Sequence, residues 1–241
     1  MSKSSKYGKM AIENIGGMNM VTPKYQRVVL KLSGEALSSP ESAFDPKILK
    51  ELAKELKDIH ELGVDLAIVV GGGNFWRGRS NQQMDRCTSD YIGMLGTTMN
   101  ALALGDAFKQ LEVDVRVQTG VEMRQIAEYY IKDRAIKHLG LGRVVVFGCG
   151  TGSPFFSTDT AAALRAAEIN ADCLIKATNV DGVYDKDPKK HDDATKINEI
   201  SYIDVLNQNI KVMDSTAMTL CMDNDIPIVV FNINNKGDLK K

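Results

Sequence analysis

Lys31 and Lys176 each close an apolar run with strand character, Tyr25 to Leu32 and Asp172 to Lys176. A lysine at such a position points its compact charge along a sheet edge, where phosphate oxygens can use it. Asp159 falls in the first turn of a helix expected over Thr158 to Asn170, so two ammonium groups and a carboxylate form a candidate phosphoryl clamp. The segments around them are rich in glycine and hydroxyl residues. They are Lys31-Leu32-Ser33-Gly34-Glu35, Gly71-Gly72-Gly73-Asn74, Gly148-Cys149-Gly150-Thr151-Gly152-Ser153 and Thr178-Asn179-Val180-Asp181-Gly182-Val183-Tyr184. Each follows a β-like run. In an open α/β sheet, ligands sit beyond the carboxyl ends of parallel strands. Free backbone N–H groups and helix N-termini attract phosphate there. One such loop says little, whereas this recurrence points to several phosphates held at once, and so to phosphoryl transfer between two phosphorylated ligands.

Other residues have a plainer account beside the chemical one. The triple glycine lets backbone approach a ligand closely, and Arg77 and Arg79 after it offer forked N–H donors. A flexible turn with solvated arginines is the plain alternative. Trp76 is expected to pack under that loop. Asp90 stands at the expected start of a helix over Asp90 to Gln110, where an N-cap role is chemically sufficient; a carboxylate accepting from ribose hydroxyls is the sharper reading. In the longest loop, Thr151, Ser153, Ser157 and Thr158 supply hydroxyls, Phe155 and Phe156 supply apolar walls, and Ser157 or Thr158 could simply cap a helix. Tyr184, Asp187 and Pro188 could fold over a base and ribose, or form an ordinary surface loop.

The elements that must carry these residues alternate. Strands are expected at Tyr25 to Leu32, Val64 to Val70, Val113 to Gln118, Arg143 to Phe147, Asp172 to Lys176 and Ile226 to Ile233. A helix capped by Asp45 and opened by Pro46 should run to about His60 and stop at Gly63. Further helices are expected at Glu122 to His138, Tyr202 to Leu206 and Ser215 to Asn224, with a long polar connection over 179–198. This alternation calls for an α/β fold: a mainly parallel central sheet sandwiched between helices, in one domain with two lobes. Residues 1–24 lack periodicity and read as a flexible extension ahead of a domain spanning 25–241.

The chain has 241 residues and a formal net charge of −1, which speaks against a polynucleotide partner. Its four cysteines and three histidines are scattered, which speaks against a Cys/His zinc site and fits buried thiols in a reducing cytosol. No secretory signal and no membrane span are expected.

Taken in order, the motifs resemble those of the bacterial-type uridylate kinases, a branch of the amino-acid kinase family. The matching pieces are Lys31-Leu32-Ser33-Gly34-Glu35-Ala36-Leu37, Gly71 to Gly78, Asp90-Tyr91-Ile92-Gly93-Met94-Leu95, Gly150 to Asp159 and Lys176 to Tyr184, and the likeness runs from about 25 to 237. The resemblance implies conversion of UMP and ATP to UDP and ADP with magnesium, in the cytoplasm, by a homohexamer subject to UTP feedback. It implies catalytic roles for Lys31, Asp159 and Lys176. It assigns Lys31, Leu32, Ser33, Gly34, Gly73 and Arg77 to ATP phosphates, and Thr178, Asn179, Tyr184 and Asp187 to its nucleoside. It assigns Gly72, Asp90 and the loop Thr151, Gly152, Ser153, Pro154, Phe155, Phe156, Ser157, Thr158 to UMP. Ser153 stands where relatives often carry asparagine and Tyr91 where they often carry histidine. The segment 38–43 lacks the glycines of relatives that GTP activates, so GTP activation is not expected. Two other classes compete. The first is a dinucleotide site at Gly148, Gly150 and Gly152, but their spacing is G-x-G-x-G and Lys176 takes the place of the ribose-binding acid. A non-catalytic nucleotide sensor would share the fold, and the retained Lys31, Asp159 and Lys176 argue for catalysis.

Overall fold

The computed structural model describes residues 23–77, 83–235 and 237. Most of the expected N-terminal extension, together with Arg79 and Gly78, lies outside the described residues. The chain runs through β1 (Arg27–Leu32), a 3-10 turn (Gly34–Leu37), α1 (Pro46–His60), β2 (Asp65–Val70), α2 (Arg86–Gln110), β3 (Val115–Thr119), β4 (Glu128–Tyr129) and α3 (Lys132–Gly140). It continues through β5 (Val144–Gly148), α4 (Thr158–Glu168), β6 (Cys173–Thr178), β7 (Val183–Tyr184), β8 (Lys196–Ile197), α5 (Tyr202–Asn207), α6 (Ser215–Asp223) and β9 (Ile228–Asn232). A seven-stranded sheet has the order β4-β3-β5-β2-β1-β6-β9, and every pairing in it is parallel.

The central strands are apolar on both faces, as a sheet covered by helices on both sides requires. On one face, Val28, Leu30 and Leu32 of β1 pack with Leu49, Leu52 and Leu56 of α1 and with Leu104 and Phe108 of α2. On the other, Val29, Val69 and Leu174 pack with Leu139 of α3, with Ala162, Ala163 and Ala166 of α4, and with Ala217 and Cys221 of α6. The alanines of α4 let that helix lie close to the strands it crosses. Local signals set α1 as the sequence indicates: Asp45 accepts from the N–H groups of Lys47 (3.0 Å) and Ile48 (3.2 Å), Pro46 opens the helix, and Gly63 turns the chain at φ 89°.

Three expectations are corrected. The helix expected over Glu122 to His138 forms only from Lys132. Before it, Glu128–Tyr129 pairs with Gln118 and Thr119 as an edge strand, and the Glu128 carboxylate is drawn to Gln118 Nε2 (2.7 Å) and His138 Nε2 (3.0 Å). The β-prone Tyr129-Tyr130-Ile131 run, anchored by Tyr130 packing edge-on against Phe147, outweighs the helical spacing. Next, α2 begins at Arg86, capped by Asp85, whose carboxylate accepts from Thr88 N at 2.9 Å; Asp90 therefore lies inside the helix and is not its cap. Finally, the polar connection contains a short antiparallel hairpin, β7 with β8.

Candidate active site

Strand parity puts both lysines on one face. Along β1, Lys31 shares the side of Val29, and along β6, Lys176 shares the side of Leu174, which is the face covered by α4. The parallel register pairs Lys31 directly with Lys176. Like charges opposite one another on a sheet repel, and here an anion stands between them. Asp159, in the first turn of α4, has Oδ1 at 2.9 Å from Lys31 Nζ and Oδ2 at 2.9 Å from Lys176 Nζ. All three side chains are only 14–17% exposed. Burial pushes the Asp159 carboxyl up, but the two ammonium groups beside it prevail and hold it below the ordinary 3.8. Lys176 also donates to the Val212 carbonyl at 2.6 Å, which fixes its direction. Lys31 meets Oδ1 as an ion pair.

Topology places two crevices beside this triad. The chain leaves β2 for α2 on one face of the sheet and leaves β5 for α4 on the other, so the loops after these neighbouring strands diverge. The chain likewise leaves β1 toward α1 on one face and leaves β6, by way of the polar connection, toward α5 and α6 on the other. Such divergence opens a ligand crevice. Between β1 and β6 lies a cavity of about 930 Å³ whose lining includes Lys31, Ser33, Lys176, Thr178 and Asn179. Between the turns after β2 and β5 lies one of about 230 Å³ whose lining includes Gly72, Gly73, Asp90, Phe156, Ser157 and Thr158. Leu32 and Gly34 are buried beneath the first turn. Of the residues expected at ATP, Lys31, Ser33, Thr178 and Asn179 line the larger cavity and Gly73 lines the smaller; of those expected at UMP, Gly72, Asp90, Phe156, Ser157 and Thr158 line the smaller.

The smaller cavity is bounded by a built loop. Cys149, Gly150, Gly152 and Phe155 all have positive φ. Cys149 N donates to Thr97 Oγ1 (2.6 Å), Phe155 N donates to Asp90 Oδ2 (2.8 Å), and Arg86 Nε donates to the same Asp90 oxygen (2.8 Å). Gly152 packs so tightly that a Cβ would collide with the Gly120 carbonyl oxygen. Thr151 Oγ1 and Ser153 bond each other at 3.2 Å. Ser157 caps α4, accepting from Thr160 N at 3.0 Å, and also donates to Asp214, the cap of α6. Phe155 and Phe156 are exposed. Trp76, expected to pack under the glycine loop, lines the same cavity and donates to Ser89 Oγ of α2 at 2.9 Å.

Some expected residues stand apart. The Arg77 guanidinium pairs with Glu35 across the mouth of the glycine turns. Tyr184 donates to Asp181 at 2.7 Å within the hairpin, and Asp187 accepts from Lys189 N at 3.0 Å; neither lines the two cavities. Sequence reasoning missed Arg86, Thr97 and Asn100 of α2, and Asp214. The signal was slight: for the α2 residues, polar side chains in a helix rich in small and apolar ones, and for Asp214, a capping residue ahead of a short helix.

A parallel sheet with a lysine-clamped carboxylate at its carboxyl edge, beside two ligand-sized crevices, fits a phosphotransferase of the amino-acid kinase architecture. The chain belongs to the Amino acid kinase family, whose pattern matches residues 26–232. Among solved structures it is similar to the UMP kinase from Bacillus anthracis, at 40% identity and TM-score 0.87, with 90% of this chain and 91% of that one covered. It is similar to the UMP kinase from Ureaplasma parvum, at 37% identity and TM-score 0.84 over 88% and 92% of the two chains. It is also similar to the uridylate kinase from Archaeoglobus fulgidus, at 30% identity and TM-score 0.65 over 85% and 90%.

Proposed function

We propose that this chain is a UMP kinase, transferring the terminal phosphoryl group of ATP to UMP to give UDP and ADP. The observation that carries the reading is the Lys31–Asp159–Lys176 bridge at the carboxyl edge of two adjacent strands. ATP takes the larger cavity, with its phosphates at Lys31, Leu32, Ser33 and Gly34 and reaching toward Gly73, which lines the smaller cavity, and Arg77, which lines neither. Its nucleoside lies toward Thr178 and Asn179, with Tyr184 and Asp187 on the hairpin beyond. UMP takes the smaller cavity, with Gly72, Asp90 and the 151–158 loop around it.

The acceptor is a phosphate oxygen whose second pKa is near 6, so it is already ionised at neutral pH and needs no base. Asp159 is ionised and occupied by two lysines, so it positions them and takes no proton. Lys31 moves from Asp159 to the transferring group, and Lys176, tied to Val212, holds the other side. Catalysis rests on alignment and charge neutralisation. Magnesium keeps several waters and binds through substrate phosphates and one or two carboxylates, and Asp159 is a carboxylate beside the proposed phosphate site. Asp159 would hold it through water, and when bound it would neutralise charge on the ATP phosphates.

Residues 25–241 act as one domain, in the cytoplasm and as a homohexamer. Four free cysteines fit a reducing compartment, and no helix among the described residues is long and apolar enough to cross a membrane. The exposed Tyr91, Leu95 and Met99 recur every fourth residue on α2 and favour self-association, which sedimentation would measure. The deciding experiment is an activity screen of UMP against CMP, dUMP and acetylglutamate with ATP and magnesium. Preferred turnover of another acceptor would overturn the reading.

A further inference from the structure

Asn100 is fully buried in the middle of α2. A buried amide is costly unless its polar atoms are paired. Here Asn100 Nδ2 donates to the Gly71 carbonyl at 2.6 Å and to Asn74 Oδ1 at 2.7 Å. Asn74 Nδ2 donates back to Asn100 Oδ1 at 2.9 Å and to the Ala43 carbonyl at 2.9 Å. The two side chains close a head-to-tail amide ring. Aspartate in either place would lose the N–H donors, and glutamine would be too long.

The ring lies under both glycine turns. Gly71 is the first residue after β2, and its N–H still donates to Leu32 O at 2.9 Å, continuing the β1–β2 ladder. From above, Gly34 rests on the ring. A Cβ there would collide with Asn74 Oδ1 and stand 2.7 Å from Gly71 O and 2.8 Å from Asn100 Nδ2. The turn that starts the ATP side and the turn that starts the UMP side therefore share one hydrogen-bonded floor. One turn earlier on the same helix, Thr97 holds Cys149 N of the third loop. Packing alone would be served by an apolar residue, as at the neighbouring Ala101 and Leu104. A fully paired polar ring instead allows a single arrangement of the turns.

We propose that Asn74 and Asn100 are positioning residues that fix the separation of the two glycine turns, and with it the in-line alignment of the donor and acceptor phosphates. The proposal rests on the UMP kinase reading above. Misplacement by about 1 Å can cost around a hundredfold in rate. The test is steady-state UMP phosphorylation by Asn74→Ala, Asn100→Ala and the double variant, with melting curves and UMP titrations followed by the fluorescence of Trp76, the one tryptophan of the chain. Each single variant should lose about 10- to 100-fold in kcat, with KM for UMP and ATP within about threefold of the parent. The double variant should be no slower than the slower single, because the ring acts as a unit. A folded Asn74→Ala enzyme with the parent's kcat, or a loss confined to KM, overturns the proposal. If Asn100→Ala does not fold, Asn74→Ala decides alone, since Asn74 lies half-buried in a turn. Asp90→Asn is run in parallel. If it leaves KM for UMP unchanged, the underlying site reading fails and the proposal with it. If it weakens UMP while the asparagine variants keep the parent's kcat, the positioning role alone fails.

Discussion

Replacing Asp159 by asparagine removes the charge between two lysines and leaves the shape. Lys31 and Lys176 are register partners on adjacent parallel strands, both within 2.9 Å of the carboxylate that would be lost. Two unit charges roughly 5 Å apart repel by about 3 kcal/mol at an effective dielectric of ~20. Removing one member of a buried pair costs a similar ~3–5 kcal/mol. The side chains are 14–17% exposed, so the lower figure applies. In a domain of this size, ~3 kcal/mol lowers the melting temperature by roughly 6–12 °C. Phosphates brought to the same lysines would cancel the repulsion. Saturating ATP should therefore raise the melting temperature of the variant more than that of the parent, and the variant should bind ATP more tightly, by about tenfold for each 1.4 kcal/mol recovered. Turnover should fall, because Lys31 and Lys176 lose the group that aligns them. Differential scanning calorimetry with and without ATP, together with steady-state rates, tests the whole chain of reasoning. A variant that melts within about 2 °C of the parent, or an equal ATP-induced shift in both proteins, would refute it.

The same carboxylate has a pH signature. Its folded-state value lies below the ordinary 3.8, so its contribution is fully present above about pH 4 and is lost as pH falls through the depressed value. The gap in melting temperature between parent and Asp159→Asn should accordingly narrow on acidification below about pH 4, and a gap that widened would contradict the sign. Asp90→Asn should raise KM for UMP by roughly tenfold or more, as expected for a lost charged hydrogen bond, while KM for ATP changes little; equal weakening of both counts against an acceptor-side role. Gly152→Ala puts a side chain at φ 90° against the Gly120 carbonyl. A strain of ~1–3 kcal/mol should displace the loop and weaken UMP, leaving ATP binding intact by calorimetry.

Local chemistry made much of this protein legible before folding. Asp45-Pro46 and Gly63 bracket α1 because capping and φ preferences act within a few residues, and the apolar runs at β1, β2, β5 and β6 need no partner to be recognised. The glycine-rich turns and their flanking lysines announce phosphate chemistry for the same reason. The sheet order and the parity that set Lys31 opposite Lys176 were decided only by tertiary structure, since register is a relation between strands 145 positions apart. Asp90 shows the difference clearly: sequence spacing offered it as a helix cap, but Asp85 took that place and left Asp90 to hold Phe155 N across the smaller cavity. Likewise the Asn74–Asn100 ring and the edge strand at Glu128–Tyr129 arise from partners distant in the chain, whose hydrogen bonds and packing outweigh what each residue prefers alone.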